Sequence, residues 1–168
     1  VHVFVMLPPN GGEPLLISDA AINIKPDINT RVESALLMAK MLRKMGCAKQ
    51  KVAILSATES ILPAMPSSVE ADEIAGLARA RDPNADFFGP LSFDLAISPE
   101  ASAKKGIINK VAGKANALVV PDIVSGNVLF KSLVWCAGGL AAGLVLGGAV
   151  PIVLTSRSDP AEARLAAI

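Results

Sequence analysis

The sequence has few histidine, cysteine or aromatic residues. His2 is the single histidine, Cys47 and Cys136 are the two cysteines, and aromatic residues make up 4% of the chain. A structural zinc site needs four ligands, so a zinc-finger type of protein is excluded. Two widely separated cysteines form no CxxC pair and are typical of reduced, buried thiols in a cytoplasmic protein. No basic segment or cleavage motif of a signal peptide precedes the first apolar run, so the expected localisation is cytoplasmic.

The charge is nearly balanced, with a net value of +1. No basic stripe with interleaved aromatic residues is present, so we predict no nucleic-acid partner. The hydrophobic fraction of 52% consists mostly of small aliphatic residues, which fit helices packed closely on a buried parallel sheet. A length of 168 residues allows one domain, or one domain and part of a second.

One long stretch, between Lys131 and Arg157, has no charged side chain. About 20 such residues can cross a bilayer. However, Gly143, Gly147 and Pro151 are among the residues that divide the stretch into lengths typical of one helix and two strands. Neither flank has the basic cluster or the aromatic belt that orients a membrane span. We therefore predict a buried core and no membrane partner.

Apolar runs alternate with amphipathic segments along the chain. The runs predict strands at residues 1–7, 15–18, 52–55 and 117–120, and an extended segment at 86–97. The predicted helices start with a capping box at Thr30–Glu33, with Ser67 or Ser68, with Ser98–Pro99, and with Ser125–Asn127. They are expected to end near Gly46, Arg81, Gly106 and Ala137. This alternation predicts an α/β fold with a doubly wound, mostly parallel sheet.

The helix predicted at Ser125, Gly126 and Asn127 follows a strand and offers a first candidate anion site. Free backbone N–H groups and a side-chain amide would face a ligand there. Lys131 on this helix is either a ligand contact or a solvated lysine. Asp19, at the end of another strand, is either a ligand contact or a turn or cap residue.

A second candidate anion site comprises Thr155, Ser156 and Arg157. These residues follow an apolar run and precede a predicted helix whose cap is Asp159 and whose capping-box acid is Glu162. A hydroxyl, a guanidinium and backbone amides converge at such a position, and the arginine fork matches phosphate oxygens. The alternative is an ordinary helix cap with a solvated arginine.

Six segments in order resemble the phosphate acetyl/butyryltransferase family: LLISDAAINIKPD, KVAILSATES, GPLSFDLAIS, VAGKANALVVPDIVSGNVLFKSL, AAGLVLGGAVPIVLTSRSD and EARLA. The resemblance covers nearly the whole chain, and PDxxxGN together with TSR is specific at this spacing. The VLTSR-D motif is similar to that of the phosphate butyryltransferase branch. This branch includes bifunctional proteins with an enoyl-CoA hydratase domain.

The resemblance implies a two-domain, three-layer α/β/α architecture like that of isocitrate and isopropylmalate dehydrogenases. Residues 1–147 would be the second domain, and residues 148–168 would begin the return to a first domain that the sequence otherwise lacks. The start without methionine and the end within a helical pattern agree with an excerpt of a longer chain. The active site would lie in the cleft between the domains, and a homodimer is expected.

The implied reaction is reversible acyl transfer between coenzyme A and phosphate, by direct attack of the thiolate on the acyl-phosphate carbonyl. Coenzyme A is a substrate, and no permanently bound cofactor or metal is expected. Ser156 and Arg157 are the expected catalytic residues, because the matching residues of the family contact acyl phosphate and coenzyme A. Further substrate contacts are expected from Asp122, Ser125, Gly126, Asn127, Lys131 and Thr155. Ala163 stands where the acetyltransferase branch has a proposed base, so Glu162 and Asp159 are the uncertain substitutes.

Two other functions stay open at this point. Such a domain, fused to another enzyme, could sense acyl-CoA or hold subunits together without turnover. A metal- and NAD-dependent dehydrogenase of the related fold would need clustered carboxylates, whereas Asp19, Asp94 and Asp122 lie on separate segments.

Overall fold

The computed structural model of the chain describes residues 1–150, 152–154, 162 and 165. The strands are His2–Leu7 (β1), Leu15–Ser18 (β2), Lys51–Leu55 (β3), Asp86–Leu91 (β4), Ala117–Val119 (β5), Leu140–Val145 (β6) and Ile152–Val153 (β7). The helices are Ile28–Lys44 (α1), Pro66–Arg81 (α2), Phe93–Ile97 (α3), Pro99–Lys104 (α4) and Ile123–Trp135 (α5).

The described strands form one sheet in the order β4-β3-β5-β2-β1-β6-β7. The pairs β4–β3, β3–β5 and β5–β2 are parallel, whereas β1 is antiparallel to both β2 and β6, and β7 is antiparallel to β6. Five strands therefore run in one direction, and the predicted mostly parallel sheet is confirmed. The reversal of β1 follows from the short turn to β2 around Gly11 and Gly12, since a short connection can join only antiparallel neighbours.

Apolar side chains cover both faces of the sheet. Leu42 of α1 and Ile74 of α2 are fully buried against one face. Leu95 of α3 and Phe130 of α5 pack on the other, where the rings of Phe4 and Phe130 stack with centroids 3.9 Å apart. Burying one such large side chain contributes about 1.5–3 kcal/mol. Helices on both faces make the three-layer α/β/α arrangement, which confirms the predicted fold class.

The predicted starts of α1 and α2 are wrong, and both helices begin earlier. α1 begins at Ile28, and the side chain of Asp27 accepts a hydrogen bond from the N–H of Thr30 at 2.7 Å. The capping box at Thr30 is therefore wrong. α2 begins at Pro66, so Ser67 and Ser68 lie in its first turn rather than at its cap.

Two further predictions concern the segment around Ser98. The extended segment predicted at 86–97 is only partly right, because Phe93–Ile97 is a short helix. The predicted cap at Ser98 is confirmed, since its side chain accepts a hydrogen bond from the N–H of Ala101 at 3.2 Å. Gly46, just beyond α1, has φ of 83°, a conformation that glycine adopts without strain.

The uncharged stretch contains the end of α5 and the strands β6 and β7, which agrees with its predicted division into helix and strand lengths. The predicted buried core holds for the middle of β6, whereas Ile152 and Val153 of β7 are exposed. Among the described residues, no helix combines the length and the apolar character that crossing a bilayer demands. The expectation of buried cysteines is wrong for Cys136, which is exposed, while Cys47 is half-buried.

Candidate functional site

The candidate site lies at the carboxyl ends of the parallel strands β2 and β5, which are neighbours in the sheet. The chain leaves β2 toward α1 on one face of the sheet and leaves β5 toward α5 on the other. When the chain leaves two adjacent strands toward opposite faces of the sheet, a crevice forms between the two connections. Ligands of open α/β sheets bind in such crevices. The loop after β2 and the first turn of α5 border this crevice.

Asp122 is the N-cap of α5. Its Oδ1 accepts a hydrogen bond from the N–H of Ser125 at 2.8 Å, and its carbonyl oxygen accepts one from the N–H of Gly126 at 3.2 Å. The hydroxyl of Ser125 donates to the carbonyl oxygen of Asp122 at 2.9 Å. The helix start expected at Ser125 is therefore wrong, because α5 begins two residues earlier, at Ile123. The N–H groups of Ser125 and Gly126 are already hydrogen-bonded, so they are not the free anion donors that the sequence suggested.

Gly126 lies where α5 packs closely against the loop after β2. A Cβ atom on this glycine would lie 2.8 Å from Cγ2 of Val120, 2.9 Å from the carbonyl oxygen of Asp19 and 3.0 Å from Cβ of Ala20. Real Cβ atoms almost never come so close to other atoms, so only glycine permits this contact. The glycine of the PDxxxGN motif thus has a packing role.

Asn127, the last residue of the motif, connects α5 to the same loop. Its Nδ2 donates to the carbonyl oxygen of Ala20 at 3.3 Å. At the start of the helix, the N–H of Ile123 donates to the carbonyl oxygen of Ile24 at 3.0 Å. The motif therefore caps α5, lets it approach the loop and links it to the loop by hydrogen bonds.

Asp19 lies at the end of β2 and is 2% exposed. Its Oδ1 accepts hydrogen bonds from the N–H groups of Ala21 at 3.0 Å and Ile22 at 2.9 Å. Its Oδ2 accepts from the N–H of His2 at 3.0 Å and from Nδ2 of Asn23 at 2.6 Å. Burial acts to raise the pKa of Asp19, but these hydrogen bonds outweigh it and hold the pKa below its ordinary value. Of the two interpretations of Asp19, the contacts favour a turn residue. The hydrogen bond from Asn23 to Asp19 was not predicted from the sequence.

Lys131 lies one helical turn beyond Asn127 and is exposed. Its Nζ is 5.3 Å from the centroid of the Phe130 ring, within the range of a cation–π contact. Residues four apart on a helix share a face, so Asn127 and Lys131 lie on the same face of α5.

A groove of about 630 Å³ runs along another side of α5. It is lined by Phe93, Asp122, Val124, Ser125, Val128, Leu129 and Ser132. Asp122 and Ser125, both predicted site residues, are on its wall, whereas Asn127 and Lys131 are not. Within the described ranges, no three His, Cys, Asp or Glu side chains are grouped as a metal site would need, and Asp19, Asp94 and Asp122 do not come together.

The remaining predicted site residues follow β7. Thr155, Ser156, Arg157 and Asp159 lie outside the described residues, as does Ala163. Glu162 is described and is an exposed helical residue. Contacts of the TSR segment with a substrate therefore stay a prediction.

The family model described as phosphate acetyl/butaryl transferase matches residues 1–168, the whole chain. This chain belongs to that family. The phosphate acetyltransferase of Rhizobium meliloti is 45% identical over 166 residues, which cover 98% of the chain and 52% of the relative. The phosphate butyryltransferase of Clostridium acetobutylicum is 33% identical over 168 residues, 99% of the chain and 56% of the relative.

The family's fold is the same in solved structures. A branched-chain phosphotransacylase from Enterococcus faecalis V583 superposes with a TM-score of 0.90 at 40% identity, covering 99% of the chain and 59% of that protein. The chain thus spans about half the length of the relatives it matches. Identity to the acetyltransferase exceeds identity to the butyryltransferase, so these values support the family and do not favour its butyryl branch.

Proposed function

We propose that the protein containing this chain transfers a short acyl group reversibly between coenzyme A and inorganic phosphate. The observation that carries the proposal is the family match over all 168 residues, with relatives named phosphate acetyltransferase and phosphate butyryltransferase. The geometry agrees, because the family's PDxxxGN motif borders the crevice at the carboxyl ends of β2 and β5. Coenzyme A is then a substrate rather than a bound cofactor.

In the proposed reaction the coenzyme A thiolate attacks the carbonyl carbon of the acyl phosphate. The new carbon–sulfur bond forms as the carbon–oxygen bond to phosphate breaks, and phosphate leaves with the bonding electron pair. A free thiol has a pKa of about 8.5, so a small fraction is thiolate at neutral pH without a strong base. Glu162 or Asp159 would be the candidate proton acceptor.

Catalysis of this kind rests on positioning and on stabilising negative charge. Ser156 and Arg157, with Thr155 beside them, would bind the phosphoryl oxygens, since the arginine fork pairs with them in a bidentate manner. Lys131 would supply a positive charge and is exposed to solvent, and Asn127 lies on the same face of α5. Asp122, Ser125 and Gly126 would hold this helix end in place.

We further propose that residues 1–147 are the second domain of a two-domain transferase and that residues 148–168 lead into the first. The active site would be the cleft between the domains, and this chain would contribute one wall. A homodimer is part of the proposal. It is supported by the exposed apolar side chains of Val124, Val128 and Trp135 on α5.

The test is an assay of the complete gene product that contains these residues. Acetyl-CoA or butyryl-CoA and phosphate are mixed with it, and free thiol is followed with a chromogenic thiol reagent. The proposal expects thiol release that requires both the protein and phosphate. Release that is absent with both thioesters, or that does not depend on phosphate, contradicts it.

A second candidate function is binding of acyl-CoA without turnover, in a sensing or oligomerisation role. It is favoured by one observation, that Ala163 occupies the place of the base proposed for the acetyltransferase branch. A sensor would bind acyl-CoA in an equilibrium assay while releasing no thiol.

A further inference from the structure

Helix α5 is only shallowly embedded in the protein. Of its 13 residues, Gly126 and Phe130 are buried, whereas α1 buries seven of its 17. Apolar packing therefore fixes α5 less firmly than it fixes α1. The two hydrogen bonds from α5 to the carbonyl oxygens of Ala20 and Ile24 consequently carry a larger share of its attachment.

These two carbonyl groups belong to a loop whose shape is set by Asp19. The residues between them, Ala21 and Ile22, donate their N–H groups to the Asp19 carboxylate, and Asn23 donates its side-chain amide. An ionised carboxylate has about four lone-pair sites, and all four are occupied here. Asp19 thus has no capacity left for a metal or a substrate, and its role must be exerted through the loop.

We propose that Asp19 is a positioning residue that acts through Asn23 and residues 20–24 to hold the substrate end of α5. This inference rests on the proposed function, in which Asn127 and Lys131 face the substrate. The close approach at Gly126 transmits displacement, because the space between the Asp19 carbonyl oxygen and the helix is too small for a methyl group. Asn127 and Lys131 then move together, since both belong to one rigid helix.

The most informative variant is Asn23→Ala in the complete gene product. It removes one of the four donors to Asp19 and leaves the carboxylate and its three backbone partners in place. The matched control is Asn116→Ala. Asn116 is buried, whereas Asn23 is half-buried, and the Asn116 side chain likewise makes structural hydrogen bonds, accepting from the N–H of Lys51 and donating to the carbonyl oxygen of Lys49, both at 2.8 Å. It lies at the amino ends of β3 and β5, the opposite edge of the sheet.

Steady-state kinetics well below the unfolding temperature separate positioning from stability. We expect Asn23→Ala to lower kcat/KM for acyl-CoA by roughly ten- to a hundredfold, the size of loss that small misplacements produce. We expect Asn116→Ala to lower the melting temperature and leave kcat and KM unchanged. Asp19→Asn should lower kcat/KM more than Asn23→Ala does. The new side-chain amide would replace one carboxylate oxygen with an NH2 group, which donates and cannot accept the hydrogen bonds of the groups that face it. Unaltered kinetics in Asn23→Ala overturns the inference.

Amide hydrogen exchange gives a readout that does not depend on turnover. Local opening of α5 should speed exchange at residues 123–131 in Asn23→Ala and not in Asn116→Ala. If the unaltered protein releases no thiol, the proposed function fails, and the exchange rates still decide the role of Asp19. Exchange in α5 that is equal in the two variants overturns the positioning role even in an active enzyme.

Discussion

The carbonyl oxygen of Asp19 lies 2.9 Å from the position that a Cβ atom on Gly126 would occupy. Val120 and Ala20 approach the same position from other sides, so the first turn of α5 touches the loop after β2 with no room for a methyl group. From the sequence alone, Gly126 would be interpreted as a ligand-binding glycine. The structure shows that this position must be glycine so that α5 can pack against the loop after β2.

Gly126→Ala should therefore destabilise the protein. Adding a methyl group to a filled space costs about 1–3 kcal/mol, and here two of the three nearest atoms are a backbone oxygen and a Cβ, which cannot move aside easily. The free energy of unfolding from urea titration measures this loss. The same substitution should also lower turnover, because α5 must move away from the loop.

The matched control is Gly76→Ala on α2. A Cβ atom there would meet only the end of the Arg79 side chain at 3.9 Å. Replacing a glycine inside a helix with alanine stabilises by roughly 0.5–1 kcal/mol. Opposite signs for the two substitutions are the expected result, and equal effects would contradict the close contact at Gly126.

The cap at Asp122 gives a second prediction. Asp122→Ala removes the hydrogen bond to the N–H of Ser125 and should cost about 1 kcal/mol of stability, whereas Asp122→Asn retains a cap and should cost less. Asp27→Ala removes the equivalent bond to Thr30 on α1 and serves as the control. Urea titrations should give similar losses for the two alanine variants. Turnover should fall only in Asp122→Ala. Equal turnover in the two alanine variants would show that the cap of α5 has no role in turnover.

The buried histidine gives a prediction about pH. His2 is 1% exposed and its Nδ1 has no hydrogen-bond partner in the described part of the chain. Burial lowers the pKa of His2, and the nearby Asp19 carboxylate opposes that shift only in part. Between the folded pKa and the unfolded value of about 6.5, the unfolded chain binds more protons, so stability should fall as the pH drops below about 6.5.

His2→Leu isolates this effect, because the variant keeps every aspartate and glutamate, so their titration contributes to both proteins, and their pKa values in an unfolded chain are only about 3.9 and 4.3. Urea titrations between neutral pH and pH 5 should show a decline in the free energy of unfolding that is steeper in the unaltered protein than in the variant. Parallel curves would mean that the histidine is not buried in its neutral form.

Strands were predictable because apolar runs such as Leu15–Ser18 are bounded by turn residues, and the alternation with helices then determines a parallel sheet. The predicted starts of α1 and α5 are late for one physical reason. In α1 and α5 the true cap is an aspartate, and a hydroxyl residue three positions later donates its backbone N–H to the aspartate side chain. Thr30 and Ser125 have the side chains of caps, so the pattern alone favours them.

The role of Asp19 was not predictable to the same degree. Three of its donors are local, but the fourth is the N–H of His2, 17 residues away on the antiparallel strand β1. The contact between the loop and α5 joins residues 107 positions apart, Ala20 and Asn127. Such pairings appear only once the strand order places β2 beside β5, which no local pattern specifies.

The last prediction concerns Arg157, which lies outside the described residues. Arg157→Ala in the complete gene product should lower kcat/KM for thiol release by roughly 10²–10³, the loss that follows removal of one charge-stabilising group at a transition state. Arg81→Ala is the control, because Arg81 is an exposed arginine at the end of α2 that pairs with Glu33 of α1.

Equilibrium binding of acyl-CoA distinguishes the two candidate functions in the same variants. In an enzyme, Arg157→Ala loses turnover by orders of magnitude, and Arg81→Ala behaves as the unaltered protein does. In a sensor, no variant turns over and Arg157→Ala loses only acyl-CoA binding. An Arg157→Ala protein with unaltered thiol release contradicts the proposed role of this arginine, because the phosphoryl oxygens would then be bound by other groups.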